Sequence, residues 1–527
     1  MESKINFTDE QKSVIAADGN VFVEANAGTG KTATLVEKMR YDLQRSSDHR
    51  DILAITFSNK AANELKQRVD DMLLTHAYIS TNNSFVVKEI VKPFLNKVYA
   101  VQYSLDDLEI NYRTASLQSF EEGKETICRE NKLLSYKNIQ RNFVFELASD
   151  IVKKSKACRL YLRARFKKIF IDEYQDCDLA MHKFFIYLYE RVGINLVLFG
   201  DVKQAIYTWR GAYPEYIKEI RKRTDFTHFY LTKNFRSAMP IQNYANALYE
   251  ETIPLILPND DKIDVVKLSN LSKAIEFIKN ELNYGESMAV LRRSNDDAKK
   301  MAETFSEILD VNFTYVPRLS INDITSSDFW FYQAVAEQII DVQYNIYDFQ
   351  ESSLEVMEEE KFSSKRNAIK RLLKQIQFTA DNNRSNAQMF QNIEELRQCG
   401  IGELADVCDV KLSKENLTRL LATLNDKEEW QALKKDMSQL KYTSMTIHAA
   451  KGLEYDQVVI FADDYYDYRK CAIDIYIHYV AATRAKKRLY IFSTIGINNG
   501  EKFLSLLKKR MSEYDFDPTS VVNFIDI

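Results

Sequence analysis

The sequence predicts an α/β fold with parallel sheets, on three observations. Short apolar runs recur along the chain: Val21-Phe22-Val23, Ile52-Leu53-Ala54-Ile55, Ile169-Phe170-Ile171, Leu196-Val197-Leu198-Phe199, Met288-Ala289-Val290-Leu291, Val458-Val459-Ile460-Phe461 and Leu489-Tyr490-Ile491-Phe492. Apolar runs without alternation are the pattern of strands buried on both faces. Amphipathic helical stretches separate them, as crossover helices do in a parallel sheet. The first run leads directly into Ala25-Asn26-Ala27-Gly28-Thr29-Gly30-Lys31-Thr32, a loop of small residues between a strand and a helix.

That loop is a P-loop with Ala25 at the position glycine usually holds. Small residues let backbone N–H groups wrap phosphates, Lys31 reaches the β- and γ-phosphates, and the Thr32 hydroxyl binds Mg²⁺. A matching acidic strand end follows at Ile169-Phe170-Ile171-Asp172-Glu173. The first carboxylate, Asp172, is placed to hold Mg²⁺, and the second, Glu173, to activate the attacking water. A lone Asp-Glu after an apolar run is mostly a turn. Here it continues as Tyr174-Gln175-Asp176, and the pentapeptide is far more specific.

Two segments break the alternation, about residues 86–165 and 318–437. Both are rich in Lys, Glu, Gln, Asn and Leu, as helical insertions are. With 13 glycines and 7 prolines, few long flexible linkers are expected. The stretch Met357 to Lys374 is strongly charged and reads as a solvated helix face.

Composition narrows the classes further. A chain of 527 residues exceeds one hydrophobic core and implies three or four domains. No run approaches the roughly 18 apolar residues of a membrane span. The polar, charged start from Met1 to Phe7 argues against a secretory signal. The six cysteines form no C-x-x-C pair, so no zinc or iron–sulfur site is expected, and free thiols suit a reducing cytoplasm. A net charge of −4 excludes a globally basic nucleic-acid coat. It leaves room for a motor with a local basic and aromatic groove.

Asp172-Glu173-Tyr174-Gln175-Asp176, together with the P-loop, resembles the UvrD/Rep/PcrA group of superfamily 1 helicases, and the resemblance continues in order along most of the chain. Phe7-Thr8-Asp9-Glu10-Gln11 looks like the adenine-reading Q motif, with Gln11 on the base edge. Ile55-Thr56-Phe57-Ser58-Asn59-Lys60-Ala61-Ala62 looks like motif Ia, which lines the single-strand track through Thr56, Phe57 and Asn59. Ile79 to Phe85 occupies motif Ib, contributing Thr81, with Asn82-Asn83 where the family usually has Phe-His. The later Thr114 to Ser119 is superficially similar but lies too far from motif Ia. Gly200 to Ala212 resembles motif III. By that resemblance Gln204 senses the γ-phosphate, and Tyr207, Trp209 and Arg210 face DNA.

Leu231 to Ser237 resembles motif IV, with Phe235 stacking on adenine in place of the usual Tyr and Arg236 as the first arginine finger. Arg292-Arg293-Ser294-Asn295 matches a further DNA-facing element through Arg293 and Asn295. Ser444 to Tyr455 is close to motif V, where Thr446 and His448 lie near DNA and Glu454 holds the ribose. Tyr479-Val480-Ala481-Ala482-Thr483-Arg484-Ala485 resembles motif VI, with Arg484 as the second finger. The acidic-acidic-arginine lead-in to that motif is missing, and the stretch before it is short. His478 reads as structural.

The resemblance implies two RecA-like P-loop motor domains with parallel sheets, each carrying a mostly helical insertion. The expected boundaries are 1–85 and 166–231 for the first motor domain and 86–165 for its insertion. They are 232–317 and 438–527 for the second, with 318–437 as its insertion. ATP and Mg²⁺ are the implied cofactors and single-stranded or partly duplex DNA the implied partner. ATP would sit in a cleft that the arginines complete on closure, and alternating grip would step the motor 3′→5′. The chain ends soon after motif VI, so no appended nuclease domain is expected.

A narrower resemblance rests on Ser80–Phe85 with Ile90–Phe94, Phe143–Ala148, Phe170–Asp178 and His478–Lys486. These look like the GajB-type helicase subunits of the Gabija bacterial anti-phage system, whose partner is a GajA-like nuclease with ATPase and TOPRIM domains. Two further readings stay open: a nucleotide- and DNA-sensing subunit that switches a partner nuclease, and a stand-alone repair helicase. Strand displacement by the purified chain separates a motor from a switch. A metabolic P-loop ATPase leaves Trp209 and the motifs around Arg236 and Arg484 unexplained.

Trp209 follows Gln204 by five residues, so one short segment carries a phosphate sensor and a stacking ring. Trp209→Ala is therefore expected to weaken single-strand binding by about 1–3 kcal/mol, the usual worth of base stacking. ATPase without DNA should survive, while DNA-stimulated ATPase drops. A core tryptophan would instead cost about 3–5 kcal/mol of stability, so melting temperature measured beside DNA stimulation decides between the two.

Overall fold

The computed structural model describes residues 6–45, 49–57, 59–69, 75–101, 108–208, 211–213, 215–268, 270–317, 319–323, 328–341, 344–353, 359–433, 440–467, 471–494 and 498–527. Trp209 and Arg210 lie outside the described residues. The chain falls into two compact units. One comprises Met1–Ile263, Arg469–Lys487 and Leu506–Val522; the other Asp264–Tyr468, Arg488–Ser505 and Asn523–Ile527.

The first unit is built on a six-stranded sheet. Its strands are β1 (Val21–Ala25), β2 (Asp51–Thr56), β3 (Ala77–Thr81), β6 (Phe166–Ile171), β7 (Asn195–Gly200) and β8 (Thr227–Leu231), in the order β3-β2-β6-β7-β1-β8. Every neighbouring pair is parallel. Residues alternate between two apolar layers. Phe22, Leu53, Ile55, Ile169, Ile171, Leu196 and Leu198 feed one core. Val21, Val23, Ile52, Ala54, Phe170, Val197 and Phe199 feed the other. Both faces are buried, which is why these segments read as unbroken apolar runs. Because all six strands run the same way, the P-loop, Asp172, Gly200 and Leu231 all emerge at one edge, the carboxyl ends where α/β sheets bind ligands.

Between β3 and β6 lies the first insertion, with helices Lys92–Val98, Phe120–Glu130, Phe143–Lys154 and Lys156–Arg165. It also holds a two-stranded parallel pair, β4 (Glu109–Leu117) with β5 (Lys132–Tyr136). This pair is the non-helical part of a mostly helical insertion. Its strands mix Lys, Glu, Asn and Ser with apolar residues, a pattern the composition of a helical insertion hides. The discarded Thr114–Ser119 similarity falls at the end of β4.

The second unit carries a seven-stranded sheet in the order β11-β12-β10-β13-β16-β9-β17. Its strands are β9 (Ile263–Leu268), β10 (Met288–Arg292), β11 (Thr314–Val316), β12 (Tyr442–Thr446), β13 (Tyr455–Phe461), β16 (Ala485–Thr494) and β17 (Val522–Asp526); two-residue strands β14 (Tyr466–Asp467) and β15 (Ala472–Ile473) precede β16 in sequence. β10 lies parallel between β12 and β13, and β9 pairs parallel with β16. The second insertion is helical and has its own core of Phe331, Tyr332, Ile369, Leu372, Ile376, Phe390, Leu404 and Leu420. Its neck is closed by the buried Glu429 carboxylate, which accepts from the Ser320 N–H at 2.8 Å, the Ser320 hydroxyl at 2.6 Å and the Thr423 hydroxyl at 2.6 Å.

The compact units are drawn differently from the sequence expectation. Residues 232–263, 469–487 and 506–522 group with the first unit, whereas the sequence expectation places them in the second motor domain. The reason is local packing of the segments after β8 and before β16 onto the P-loop.

Candidate active site

The P-loop conformation is set by two glycines and a helix start. Gly28 (φ 75°) and Gly30 (φ 74°) are both left-handed, and Gly30 is the N-cap of α2 (Lys31–Gln44). Thr29 closes the turn on the Asn26 carbonyl, its hydroxyl donating at 2.8 Å. Gly28 is constrained twice. Besides its φ, a Cβ there would lie 2.4 Å from Asn234 Oδ1 and 2.7 Å from the Arg236 Cβ.

Those neighbours belong to the segment after β8, which is fastened to the P-loop. The Phe235 N–H donates to the Gly28 carbonyl at 2.8 Å, and Asn234 Oδ1 accepts from the Arg236 and Ser237 N–H groups at 2.7 and 3.0 Å. Ser237 in turn donates to the Ala485 carbonyl at 2.8 Å, next to Arg484. Phe235 itself is exposed, with the Lys233 ammonium 5.4 Å from its ring centre.

Arg484 follows the C-cap of the helix Ile475–Ala482 and is 2% exposed. Its Nε donates to the Val480 carbonyl at 2.9 Å and its Nη2 to the Thr483 hydroxyl at 3.2 Å. From the same helix the Tyr479 hydroxyl accepts from the Ala27 N–H at 3.5 Å. Burial holds the Tyr479 phenol well above its usual range, and Asp201, Arg484 and Arg236 all lie within electrostatic reach of it. His478 is a core residue: Tyr244 pairs with its Nε2 at 2.6 Å, and burial pushes the imidazole down to about 3, so it stays neutral.

Lys31 faces both carboxylates of the acidic strand end. Its ammonium pairs with Asp172 at 3.2 Å and with Glu173. Burial alone would lower the Lys31 pKa; the two carboxylates more than offset this and hold it above its ordinary value. Glu173 sits at φ 54°, a left-handed conformation that costs a non-glycine residue on the order of 1 kcal/mol or more.

A polar relay runs on from Glu173. The Gln175 amide donates to the Glu173 carboxylate, and its Oε1 accepts from the Asp201 N–H at 2.9 Å. Asp201 accepts from the Gln204 amide at 2.8 Å and pairs with Lys203 at 3.3 Å. Gln175 is 1% exposed, so its two bonds have no competition from water. Gln175, Asp201 and Tyr479 stand inside motifs of the sequence, but residue type alone does not mark them as part of the site.

Gln11 is buried at the start of α1 (Asp9–Ala16), where it forms a reciprocal capping box with Thr8 and donates to the Thr29 carbonyl at 3.1 Å. Both ends of its amide are thus engaged with backbone, and reading a base edge requires one of these bonds to be exchanged. Ala25 is buried at the end of β1, and Thr32 is half-buried in the first turn of α2.

The expected DNA-facing residues are distributed over both units. In the first, Thr56 ends β2 and is 2% exposed, while Phe57 and Tyr207 are half-buried. Asn59 starts the helix Asn59–Gln67. Thr81 caps the helix Asn82–Val86, and Asn82 is buried against Met181 Sδ at 3.4 Å. Gly211 (φ 95°) lies so close to the turn after β5 that a Cβ would be 2.7 Å from the Gln140 carbonyl oxygen. In the second unit, Arg292 forms a two-pronged pair with Asp464 at 2.8 and 3.2 Å, and Arg293 donates to the Asp464 carbonyl at 3.0 Å. Asn295 is exposed at the start of the helix Asn295–Leu309. Thr446 and His448 follow one another through the turn after β12, and Glu454 is exposed just before β13.

Two family models match the chain. The family model for the UvrD/REP helicase N-terminal domain matches residues 7–127 and 96–225, and that for the UvrD-like helicase C-terminal domain matches 333–495. The chain is 32% identical to the Gabija protein GajB of Bacillus cereus over 513 residues, which is 95% of this chain and 98% of that protein. It is 28% identical to a probable DNA helicase of Mycoplasma pneumoniae over 404 residues, 62% of this chain and 74% of the relative. With the ATP-dependent DNA helicase PcrA of Staphylococcus aureus it shares 24% over 365 residues, 56% of this chain and 49% of the relative.

Substituting Gly28 tests how tightly the loop and its cover are fitted. Gly28→Ala is expected to leave the melting temperature within a few degrees of wild type while cutting ATP turnover at least ten-fold, because the 234–236 segment must move off the P-loop. ATPase assay beside thermal melting reads both; wild-type turnover would show that the contact is not needed.

Proposed function

Since this chain belongs to the UvrD/Rep family of ATP-dependent DNA helicases, we propose that it moves 3′→5′ on single-stranded DNA as the helicase subunit of a bacterial anti-phage complex. The observation that carries the catalytic part is the convergence, within one unit, of Lys31, Asp172 and Glu173 with the segment bearing Arg236 and the helix bearing Tyr479 and Arg484. The defence part is supported by the GajB likeness, which spans nearly the whole of both chains. In this reading the partner is a GajA-like nuclease, and the motor halves follow the boundaries expected from the sequence.

The roles follow from charge and geometry. Lys31 holds the β- and γ-phosphates; arriving phosphate oxygens take over the place of the carboxylates as its counter-charge. That exchange frees Glu173 to accept the proton of the attacking water, with Gln175 keeping its carboxylate oriented. Thr32 and Asp172 supply the oxygen ligands a Mg²⁺ ion prefers, and the ion would offset charge on the phosphates. Arg236 and Arg484 stabilise the charge that builds on the transferring phosphoryl oxygens. Gln204 senses the γ-phosphate, and its bond to Asp201 links that sensor to Gln175 and Glu173. Phe235, already exposed beside the P-loop, stacks on the base; Gln11 exchanges one backbone bond to read its edge.

Two active-site variants separate binding from hydrolysis. Lys31→Ala is expected to weaken nucleotide binding and abolish turnover. Glu173→Gln is expected to keep ATP bound but unhydrolysed, because the charge of Asp172 remains. Equilibrium binding of a fluorescent ATP analogue beside phosphate release reads the two effects. Wild-type turnover by Glu173→Gln would remove Glu173 from its role.

The polarity and the partner are tested together on the native complex. Unwinding is expected to require a 3′ tail and to weaken as salt screens phosphate contacts. Purification from the native host is expected to bring down a nuclease, identified by mass. Unwinding that needs only a 5′ tail contradicts the polarity, and a chain that purifies alone contradicts the defence reading.

A further inference from the structure

The charged stretch Met357–Lys374 falls mostly on the long helix Glu359–Asn383 of the second insertion, and between Ser363 and Phe378 every exposed charged residue is a cation. Arg366, Lys370, Lys374 and Phe378 succeed one another at steps of four residues, so they form a single stripe along that face. Arg371 stands beside the stripe. At about 1.5 Å per residue the row extends for roughly 18 Å, with a cation every 6 Å or so.

Three features set this stripe apart. Lys370, Arg371 and Lys374 are exposed, and none forms an ion pair among the described residues. Like charges four residues apart repel, so the stripe carries an unrelieved cost in the free chain. Nearby cations are treated otherwise: Lys365 pairs with Asp409, and Arg384 pairs with Asp381, the acid that comes next after Phe378. Finally, the row is bracketed by exposed rings. Phe378 is 69% exposed at one end. At the other, Tyr347 is 66% exposed with the Arg366 guanidinium 5.0 Å from its ring centre. A large apolar ring held in water one turn from cations that form no ion pair gains little from burial where it stands.

We propose that this face, Tyr347, Arg366, Lys370, Arg371, Lys374 and Phe378, is a binding track for single-stranded DNA outside the motor motifs. The cations take successive phosphates, and the terminal rings stack unpaired bases, the combination that holds single strands without reading sequence. The exposed rings favour a single strand over a duplex, whose bases are already stacked. The proposal rests on the chain's acting on DNA, and its test keeps the two apart.

Binding of a fluorescent oligo(dT) by the full chain is measured across a range of salt, with a blunt duplex of equal length as the comparison. A Lys370→Ala/Arg371→Ala/Lys374→Ala variant should reduce the slope of log affinity against log salt by about 2, since each lost single-strand phosphate contact removes about 0.7. Phe378→Ala should weaken oligo(dT) binding by about ten-fold with the slope unchanged, and should leave duplex binding as in wild type. All these residues are at the surface, so melting temperatures should match wild type. If wild type binds oligo(dT) and both variants bind it with wild-type affinity and slope, the track does not exist, although the helicase reading stands. Loss of duplex binding alone assigns the face to duplex DNA and overturns the proposal. So does loss of nuclease co-purification with oligo(dT) binding intact, which assigns it to an acidic protein surface. If wild type binds no DNA, the helicase reading itself fails.

Discussion

Lys31 is a half-buried cation with two carboxylates within reach, and much of the first unit is arranged around keeping those three charges together. Taking an ion out of water without partners is costly; drawing three half-buried charges together needs close positioning from several elements. The parallel sheet supplies it. β1 delivers Lys31 through the P-loop, β6 delivers Asp172 and Glu173, and β7 delivers Asp201, which reaches Glu173 through Gln175. The three charges sum to minus one, so among themselves they favour an added cation.

The cover over the P-loop is held by backbone groups. Gly28, Phe235, Ala485 and Lys486 contribute main-chain atoms, so the fit depends on chain path as much as on side-chain identity. Asn234 and Gly28 are the exceptions, because one supplies the acceptor that shapes the turn and the other the space it occupies. Arg484 is more deeply placed than a residue that meets solvent, and two of its bonds run to its own helix, to the Val480 carbonyl and the Thr483 hydroxyl. Those two bonds fix the guanidinium against the end of the helix that precedes it.

The core strands were legible because they are apolar on both faces; each of the seven runs read from the sequence lies in a strand. The strands that escaped are those where the pattern is diluted. β8, Thr-His-Phe-Tyr-Leu, is an edge strand with two exposed residues, and β12, Tyr-Thr-Ser-Met-Thr, buries hydroxyl side chains that read as loop. In the site, groups whose chemistry is carried by residue type stood out: Lys31, Asp172, Glu173 and the two arginines. Gln175 and Asp201 did not, because their importance lies in hydrogen bonds between loops that are distant in sequence. The Gln11 amide marks the same limit. A motif names the residue, but only the fold reveals that its hydrogen-bonding capacity is already committed to the Thr8 N–H and the Thr29 carbonyl.

Gly211 meets the turn after β5 backbone to backbone, with no side chain between them to yield. A side chain at this position would have to displace the Gln140 backbone, which yields at far greater cost than the end of a flexible side chain, so the approach is open to glycine alone.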